Sequence, residues 1–377
     1  MRVKTIILPS LLGLALMPTI GAAQELTPQE ELGKLIFEDA TLSLNGNQSC
    51  ATCHGPAVGW TGPDQEINLH GTVYEGSIPG AFGDRKPPTA AYGGDSPILH
   101  YNTKAGAWVG GMFWDGRATG WDLGDPLAEQ AKGPFLNLKE QAIPDAATLV
   151  SKVQASTYAS LFAAQCSGTD TEELYNCIGR TVAAYERSSE VSPFTSKYDY
   201  WLKGKAKLTG EEHLGRALFQ GKAKCAACHT IKGKQPLFTD FTYDNLGIPK
   251  NPENPATIAD PTWADPGLGG FLKSIGKDYE LELGKHKVPT VRNVAKGSCE
   301  ANPNDSNCII KAYGHNGYFK SLKEIVNFYN TRDVKPWPAP EVSQNVNTAE
   351  LGDLGLSPRE EAAIVAFMKT LSDGYQP

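Results

Sequence analysis

Two short stretches of the chain each place two cysteines and a histidine within five residues. They are CATCH, with Cys50, Cys53 and His54, and CAACH, with Cys225, Cys228 and His229. Because helical residues at positions i, i+3 and i+4 share one face, the two thiols and the imidazole of each stretch point the same way. Two such thiols can form thioether bonds to the vinyl groups of a haem, while the imidazole binds its iron. This spacing is the attachment signature of c-type haem, and it predicts two covalently bound haems with His54 and His229 as iron ligands.

The two stretches have two alternative interpretations, a zinc site and a thiol redox centre. Zinc requires four ligands in one place, whereas the stretches lie 175 residues apart in the chain. A redox pair of cysteines does not need the histidine that follows both pairs. Haem attachment is therefore the prediction that uses every residue of the motif.

The beginning of the chain predicts export. Residues 1–23 start with Arg2 and Lys4, continue with an apolar run and end in small residues, which is the pattern of a secretory signal peptide. A retained N-terminal anchor is the alternative. We expect a periplasmic protein, and because no later apolar run approaches the length of a membrane span, we expect no span after signal removal.

Composition limits the number of domains and the kinds of partner. The chain has 377 residues, of which 40% are hydrophobic, and this is long enough for two domains with separate cores. Its formal net charge is −7, and it has no cluster of lysines and arginines. A nucleic-acid partner is therefore not expected.

The other four cysteines form two close pairs in the sequence, Cys166 with Cys177 and Cys299 with Cys308. Disulfides persist in exported proteins, so each pair is predicted to close a short loop. Structural zinc is the alternative, but neither pair has a nearby histidine or cysteine to complete four ligands.

The chain nearly repeats one segment. LTPQEELGKLIFED begins at Leu26 and LTGEEHLGRALFQG begins at Leu208, and each is followed after a short loop by CxxCH. In both segments a threonine precedes a glutamate by three residues, which is the capping box of a helix start. An amphipathic helix followed by CxxCH therefore occurs twice, as expected for a duplicated domain.

We predict a mainly α fold of two cytochrome c-like domains related by duplication, with long irregular loops. The domains are placed at 24–200, as the peroxidatic haem domain, and 201–377, as the electron-transfer domain, with a joint near Tyr198–Lys207. Helical patterns lie at Ala146–Ala164, Glu172–Ser188, Leu322–Tyr329 and Pro358–Leu371. Residues 71–94 and most of 247–270 are Gly- and Pro-rich, and loops of this length usually line a site or surround a cofactor.

The supply of further iron ligands decides between electron transfer and catalysis. A haem with two strong axial ligands carries electrons, whereas one with an open face can activate peroxide or oxygen. After the signal segment only Met112 and Met368 remain as methionines, and Met368 lies in a helix where core packing is expected. Ligation by methionine and histidine is therefore poorly supplied.

Three further runs give the chain a family resemblance. They are FWDGRATGWDLGDPLAEQAKGPFLN at 113–137, KVPTVRNVA at 287–295 and YGHNGYFKSLKEIVNFYN at 313–330. With the two CxxCH motifs they resemble the bacterial dihaem cytochrome c peroxidase and MauG family over nearly the whole mature chain. The resemblance implies a dihaem peroxidase-type enzyme that uses hydrogen peroxide at an open N-terminal haem.

The resemblance also implies site residues. Trp114 matches a tryptophan that relays electrons between the two haems, although on its own it would be read as a core aromatic. Gln130 and Pro134 match residues over the open face of the first haem. Glu140 matches the acid that transfers protons there, and on chemistry alone Glu129 is an equal candidate.

Tyr329 is a departure that separates members of this family. The peroxidases carry methionine there as second ligand of the C-terminal haem, whereas this chain has tyrosine, as MauG does. An anionic phenolate stabilises oxidised iron and is expected to lower the reduction potential of that haem. A helix aromatic packed on the haem edge is the alternative.

Other departures concern the route by which electrons leave and the calcium site. MauG has a surface tryptophan just before its second CxxCH, where this chain has Ala223, so Trp201, Trp263 and Trp337 are the remaining candidates for electron exit. The family binds calcium between the haems through an asparagine. Here Lys86 replaces it, and because an ammonium group can occupy the position of the cation, calcium binding is left open.

Three histidines outside the motifs complete the set of candidates. His70 lies where family peroxidases keep a histidine that caps the first haem, but its flanking loop differs, which favours a loop histidine. His100 and His315 are lesser candidates. His315 is expected to form a positioning hydrogen bond rather than to bind iron.

Three functions from different classes follow. The leading prediction is MauG-like oxidation of a partner protein or another donor by hydrogen peroxide. The alternative is a cytochrome c peroxidase that takes electrons from a small cytochrome c or a cupredoxin. A non-catalytic electron carrier is the third, and it would leave Gln130, Pro134 and Glu140 without a role.

Overall fold

The computed structural model describes residues 25–377, and the predicted signal peptide at 1–23 lies outside them. The described chain is mainly helical, as predicted, and no helix in it combines the length and apolar character that crossing a membrane requires. Its α-helices are α1 Pro28–Glu38, α2 Cys50–Cys53, α3 Gln65–Leu69, α4 Pro126–Leu136, α5 Ala146–Gln154, α6 Ala159–Gln165, α7 Thr171–Arg187, α8 Lys197–Leu202, α9 Gly210–Gln220, α10 Pro255–Ala259, α11 Gly267–Ser274, α12 Leu322–Thr331 and α13 Pro358–Lys369. Its strands form two antiparallel pairs, β1 His100–Asn102 with β2 Ala107–Val109 and β3 Tyr243–Asp244 with β4 His286–Lys287.

The predicted capping boxes start two helices. In α1 the backbone N–H of Thr27 donates to the carboxylate of Glu30 at 2.7 Å, and the N–H of Glu30 donates to the Thr27 hydroxyl at 3.3 Å. In α9 the corresponding bonds between Thr209 and Glu212 measure 2.7 and 3.2 Å. Each box satisfies backbone donors that a helix start would otherwise leave unpaired.

Two hydrophobic cores divide the chain in sequence order. The first contains residues between Leu32 and Val191, where α1, α4 and α5 pack against α7. The second contains residues between Tyr198 and Leu371, where α9 and α12 pack against α13. The first and last long helices of each half therefore cross and bury their apolar faces on each other.

Both helix crossings are built around a glycine. A Cβ atom added to Gly33 would lie 1.9 Å from the carbonyl oxygen of Thr181, and one added to Gly215 would lie 1.8 Å from that of Ala363. Only a residue without a side chain allows the backbones to approach this closely. The same close contact in both halves agrees with duplication.

The structure corrects one predicted helix. The pattern over Ala146–Ala164 is not continuous, because the chain turns at residues 155–158 and separates α5 from α6. The Ser156 hydroxyl donates to the carbonyl oxygen of Val153 at 2.7 Å, a local bond that competes with helix continuation. The predicted boundary between residues 200 and 201 falls within α8, and it stays a prediction.

Both predicted disulfides are present. Cys166 is bonded to Cys177 and Cys299 to Cys308, with S–S distances of 2.01 and 2.04 Å. The four cysteines of the CxxCH motifs are unpaired. The structure therefore separates the cysteines into two structural pairs and two pairs that remain available for chemistry.

Substituting alanine for Gly33 or Gly215 tests the importance of the close crossing. The added methyl group meets backbone atoms that cannot move away, so we expect the free energy of unfolding to fall by about 1–3 kcal/mol. Gly210→Ala, in the same helix as Gly215, is the control, because nothing lies within 4 Å of its added Cβ. Urea denaturation followed by circular dichroism measures both, and equal midpoints for Gly215→Ala and Gly210→Ala would contradict the packing argument.

Candidate haem-binding site

The first CxxCH motif lines a cavity of about 390 Å³, here called the N-terminal cavity. The second lines a cavity of about 200 Å³, the C-terminal cavity. The predicted residues that share the N-terminal cavity are Cys50, Cys53, His54, Trp114, Gln130, Pro134 and Glu140. Those that share the C-terminal cavity are Trp114, Cys225, Cys228, His229 and Tyr329.

A single helical turn presents each motif. The first is α2, where the N–H of Ser49 donates to the Thr52 hydroxyl at 3.0 Å and that of His54 to the carbonyl oxygen of Cys50 at 3.0 Å. The second is a 3₁₀ turn at Cys225–Ala227, closed by a 2.8 Å bond from the N–H of His229 to the carbonyl oxygen of Cys225. Both turns bring the thiols and the imidazole to one side.

Both motif histidines are held by a backbone carbonyl. Nδ1 of His54 lies 3.1 Å from the carbonyl oxygen of Trp60, and Nδ1 of His229 lies 2.9 Å from that of Phe238. Because a carbonyl oxygen only accepts, Nδ1 carries the hydrogen and Nε2 keeps its lone pair for a metal. Burial lowers the pKa of both imidazoles, that of His54 to about 4, so both are neutral at neutral pH.

The motif cysteines are suited to covalent attachment. Burial raises the pKa of Cys53, Cys225 and Cys228 to about 12, so their thiols are uncharged at neutral pH. In each cavity two thiols and a neutral imidazole lie together, and these are the groups that attach a c-type haem. The donor set of each cavity therefore fits one c-type haem.

Gln130 and Pro134 lie one helical turn apart in α4. Asp125 caps this helix by accepting from the N–H of Leu127 at 3.0 Å. Because proline has no N–H, Pro134 cannot donate to the carbonyl oxygen of Gln130, its partner four residues earlier. The helix therefore lacks this backbone hydrogen bond at the point where both residues line the N-terminal cavity.

The structure separates the two candidate acids. Glu140 lines the N-terminal cavity, where it accepts from the Asn137 side chain at 3.2 Å, and burial raises its pKa. Glu129 is not among the lining residues. It accepts from the backbone N–H groups of Gly120, Asp122 and Leu123 at 2.6 to 2.9 Å and so holds a loop in place. Of these two acids, only Glu140 is positioned to act on a molecule inside the N-terminal cavity.

Trp114 lines both cavities, and both halves hold it. Its indole N–H donates to the carbonyl oxygen of Lys86 at 2.8 Å, and its carbonyl oxygen accepts from the N–H of Lys287 at 2.8 Å. Lys86 and Lys287 occupy matching places in KPPT and KVPT. The N–H of Lys86 in turn donates to the carbonyl oxygen of His315 at 2.8 Å. The halves thus exchange a reciprocal pair of backbone hydrogen bonds.

Tyr329 and Met368 are two residues of the C-terminal cavity that offer an oxygen or a sulfur atom as a further ligand beside His229. Tyr329, on α12, lines this cavity, and burial raises the pKa of its phenol. A phenolate is therefore expected there only opposite a cation. Met368, on α13, lines the same cavity and belongs to the second core, so the predicted packing role does not remove it from the site.

The other candidate histidines lie outside the N-terminal cavity. The His70 side chain is 65% exposed and lies 3.5 Å from a carboxylate oxygen of Glu253, which favours the loop histidine over the haem cap. His100 is exposed in β1. His315 lines the C-terminal cavity and its Nε2 lies 2.9 Å from a carboxylate oxygen of Glu341, as a positioning residue would.

The candidate exit tryptophans line neither cavity. Trp201 stacks on Tyr198 with ring centroids 5.3 Å apart, and Trp337 meets Phe328 edge-on at 5.2 Å. Trp263 lies on a loop. Trp337 therefore contacts Phe328, the residue that precedes Tyr329.

Sequence reasoning missed Glu186, a buried acid of the N-terminal cavity. Glu186, in α7, lines this cavity and is only 5% exposed. The helical pattern places it beside the core residue Tyr185, but it does not show which wall of the helix faces a cavity. Comparison with the duplicated helix α13, which has Met368 at the matching place, could have drawn attention to it.

Removing the thiols of one motif tests the assignment of one haem to each cavity. We expect the double variant Cys50→Ser/Cys53→Ser to retain a single covalently bound haem, in the C-terminal cavity, because a serine hydroxyl does not form the thioether bond. Denaturing mass spectrometry and the pyridine haemochrome assay measure this. Cys166→Ser/Cys177→Ser is the control and should keep both haems; loss of haem from the control alone would refute the assignment.

Comparisons with known proteins agree with this site. Residues 27–207 match the family model described as di-haem cytochrome c peroxidase. The chain is 34% identical to methylamine utilization protein MauG of Paracoccus denitrificans, over 96% of this chain and 94% of that protein. It is 28% identical to cytochrome c551 peroxidase of Nitrosomonas europaea, over 96% and 85%.

A solved structure supports the same conclusion. The diheme peroxidase BthA of Burkholderia thailandensis is 30% identical and superposes with a TM-score of 0.78, covering 95% of this chain and 89% of that chain. Members of this family carry c-type haem, as the two motifs require. The chain therefore belongs to the dihaem cytochrome c peroxidase and MauG family, and it is a dihaem peroxidase-type oxidoreductase that acts on hydrogen peroxide.

Proposed function

We propose that the protein is a MauG-like periplasmic enzyme, which uses hydrogen peroxide at the N-terminal cavity to oxidise a partner protein or another donor. The observation that carries this proposal is the location of Tyr329. It lies in the C-terminal cavity with His229 and the thiols of Cys225 and Cys228. The 34% identity to a MauG protein supports it. The predicted signal peptide at 1–23 supports the location.

The chain's own residues would hold one haem in each cavity. Two motif thiols would attach each haem, and Nε2 of His54 or His229 would bind its iron while Nδ1 stays fixed on a backbone carbonyl. When bound, the haem supplies an iron that exchanges electrons with peroxide. The fixed imidazole prevents the ring from turning and keeps the lone pair of Nε2 directed into the cavity.

Glu140 is the proposed proton donor. Reduction of peroxide consumes protons, and a proton must reach the departing oxygen as the O–O bond breaks. Burial raises the pKa of Glu140, so its carboxyl holds a proton at higher pH than an exposed glutamate does. The Asn137 side chain orients the carboxyl, and the Gln130 side chain offers a polar contact to a substrate oxygen.

Trp114 is the proposed path for electrons between the cavities. Its ring lines both of them, and its two backbone-directed hydrogen bonds fix its orientation. Oxidation of a donor bound outside the C-terminal half can then supply electrons consumed in the N-terminal cavity. Among the candidate exit residues, Trp337 is favoured by its aromatic contact with Phe328, the neighbour of Tyr329.

We propose that the Lys86 ammonium group replaces the calcium ion of the family. Its Nζ donates to the Thr61 hydroxyl at 2.7 Å and to the carbonyl oxygen of Pro87 at 3.0 Å, and the residue is 8% exposed. These oxygens are the kind that calcium binds. A second cation beside the ammonium would be repelled, so the site does not fit calcium.

One observation favours the alternative, a cytochrome c peroxidase that takes electrons from a small cytochrome c or a cupredoxin. Met368 also lines the C-terminal cavity, so a thioether sulfur is available to the iron in place of the Tyr329 phenol. Ligation by histidine and methionine raises the reduction potential of a haem. Such a centre would accept electrons from a mild donor more readily.

Electron paramagnetic resonance of the oxidised protein tests the choice between these ligands. We expect one high-spin signal from the open N-terminal centre and one low-spin signal from the C-terminal centre. Tyr329→Phe should alter the low-spin signal because it removes the ligand oxygen, whereas the control Met368→Leu should leave it unchanged. The opposite pattern would establish the peroxidase ligation, and two low-spin signals in the native protein would exclude an open site.

Glu140→Gln tests the proton donor. The amide keeps the size of the carboxyl but holds no transferable proton, so we expect peroxide-driven oxidation to slow by roughly 10²–10⁴-fold. Glu129→Gln is the matched control on the neighbouring acid that holds the loop, and its rate should stay within a few-fold of the native rate. Stopped-flow absorbance measures both, and equal slowing in the two variants would rule out a specific role for Glu140.

A further inference from the structure

Glu186 is a buried acid with no part in the proton and electron transfers proposed for Glu140 and Trp114. It lies in α7, lines the N-terminal cavity and is 5% exposed, and its Oε2 has no hydrogen-bond partner among the described residues. Burying a polar group without a partner is unfavourable, and such a group in a folded protein calls for a reason. Because none of the side chains or backbone groups at 25–377 bonds to Oε2, its partner is expected to be a molecule within the cavity.

The position of Glu186 in α7 corresponds to a position in the C-terminal half, and both positions face a cavity. A Cβ on Gly33 would lie 2.9 Å from Cβ of Tyr185, and a Cβ on Gly215 would lie 2.9 Å from Cβ of Phe367. Tyr185 and Phe367 therefore correspond. The residues that follow them are Glu186 and Met368, and each lines the cavity of its own half. An apolar side chain satisfies the fold at this place, so the carboxyl is specific to the N-terminal cavity.

Within residues 25–377 no cationic side chain forms an ion pair with Glu186. The neighbouring Arg187 turns away and donates to the carboxylate of Asp125 at 2.7 Å. On the helices packed against α7, Lys34 pairs with Glu190 at 2.7 Å and Lys132 pairs with Glu172 at 2.9 Å. Burial, opposed by Arg187 and reinforced by Asp125, raises the pKa of Glu186 to about 8. The carboxyl is therefore uncharged at neutral pH and has a hydrogen to donate.

Glu186 and Glu140 line the same cavity. They differ in their surroundings, because Glu140 is partly exposed and accepts from Asn137, whereas Oε2 of Glu186 is buried and has no partner among the described residues. The two acids of this cavity therefore differ in their access to solvent.

We propose that Glu186 is a second acid of the N-terminal cavity, which holds a proton in the resting enzyme and gives it up during peroxide reduction. This inference rests on the proposed use of peroxide in that cavity. Hydrogen peroxide, two protons and two electrons give two molecules of water: the O–O bond breaks, and both oxygens are reduced by electrons from the donor protein. Glu140 supplies one proton and Glu186 the other, and both carboxylates then regain a proton from solvent.

Infrared spectroscopy of the holoprotein tests the stored proton without substrate. We expect an acid-minus-alkaline difference spectrum to show the carbonyl band of a protonated carboxylic acid, which shifts in D₂O and is lost in Glu186→Gln. In single-turnover stopped-flow experiments with peroxide, Glu186→Gln should be slower by about 10²-fold. Glu186→Met, which copies the residue of the other half, should fold with both haems and show the same loss of band and rate.

The outcomes separate this inference from the function on which it rests. A carbonyl band that survives in both Glu186 variants, or a native protein without one, overturns the stored proton. Native turnover rates in both variants overturn its use. Failure of the native protein to consume peroxide would count against the proposed function instead, while loss of the band in the variants would still place the proton on Glu186.

Discussion

The hydrogen bond between each motif histidine and a backbone carbonyl is the interaction on which the functional design depends. It fixes the hydrogen on Nδ1, so the lone pair of Nε2 in His54 and in His229 is directed to a cavity rather than shared between tautomers. Burial keeps the rings neutral. Thiols on the same helical turn can then capture a porphyrin whose iron meets a ligand that is already oriented.

Duplication gave the protein two similar frames, and their different linings give them different chemistry. The frames share the glycine crossing, the capped first helix and the carbonyl-bound imidazole. The N-terminal cavity adds Gln130, Glu140 and the buried acid Glu186, whereas the C-terminal cavity adds a phenol and a thioether. Polar, proton-bearing groups suit a cavity that reduces peroxide, and ligand atoms suit one that exchanges electrons.

Much of this could be predicted from the sequence because the relevant signals are local. CxxCH, the capping boxes at Thr27 and Thr209 and the close cysteine pairs each depend on residues a few positions apart, and the structure contains all of them. The break between α5 and α6 was missed because a serine side chain competes with the helix without disturbing its apolar pattern.

Features that depend on packing between distant segments were beyond sequence reasoning. Glu129 and Glu140 have the same chemistry, and only the folded chain shows that three backbone N–H groups occupy the first. Glu186 lies on an ordinary amphipathic helix, so its contact with the cavity depends on how α7 packs against α4. The role of Trp114 followed from family resemblance, since an isolated tryptophan is usually a core residue.

The reciprocal backbone bonds around Trp114 have a mechanical consequence. The backbone N–H of Lys86 donates to the His315 carbonyl oxygen, and that of Lys287 donates to the Trp114 carbonyl oxygen. A rotation of one half of the chain against the other would therefore break at least one of these hydrogen bonds. Trp114 is therefore one of the residues that hold the two halves together. Breaking these hydrogen bonds would therefore disturb Trp114, the proposed electron path, before it disturbed the residues that hold either haem.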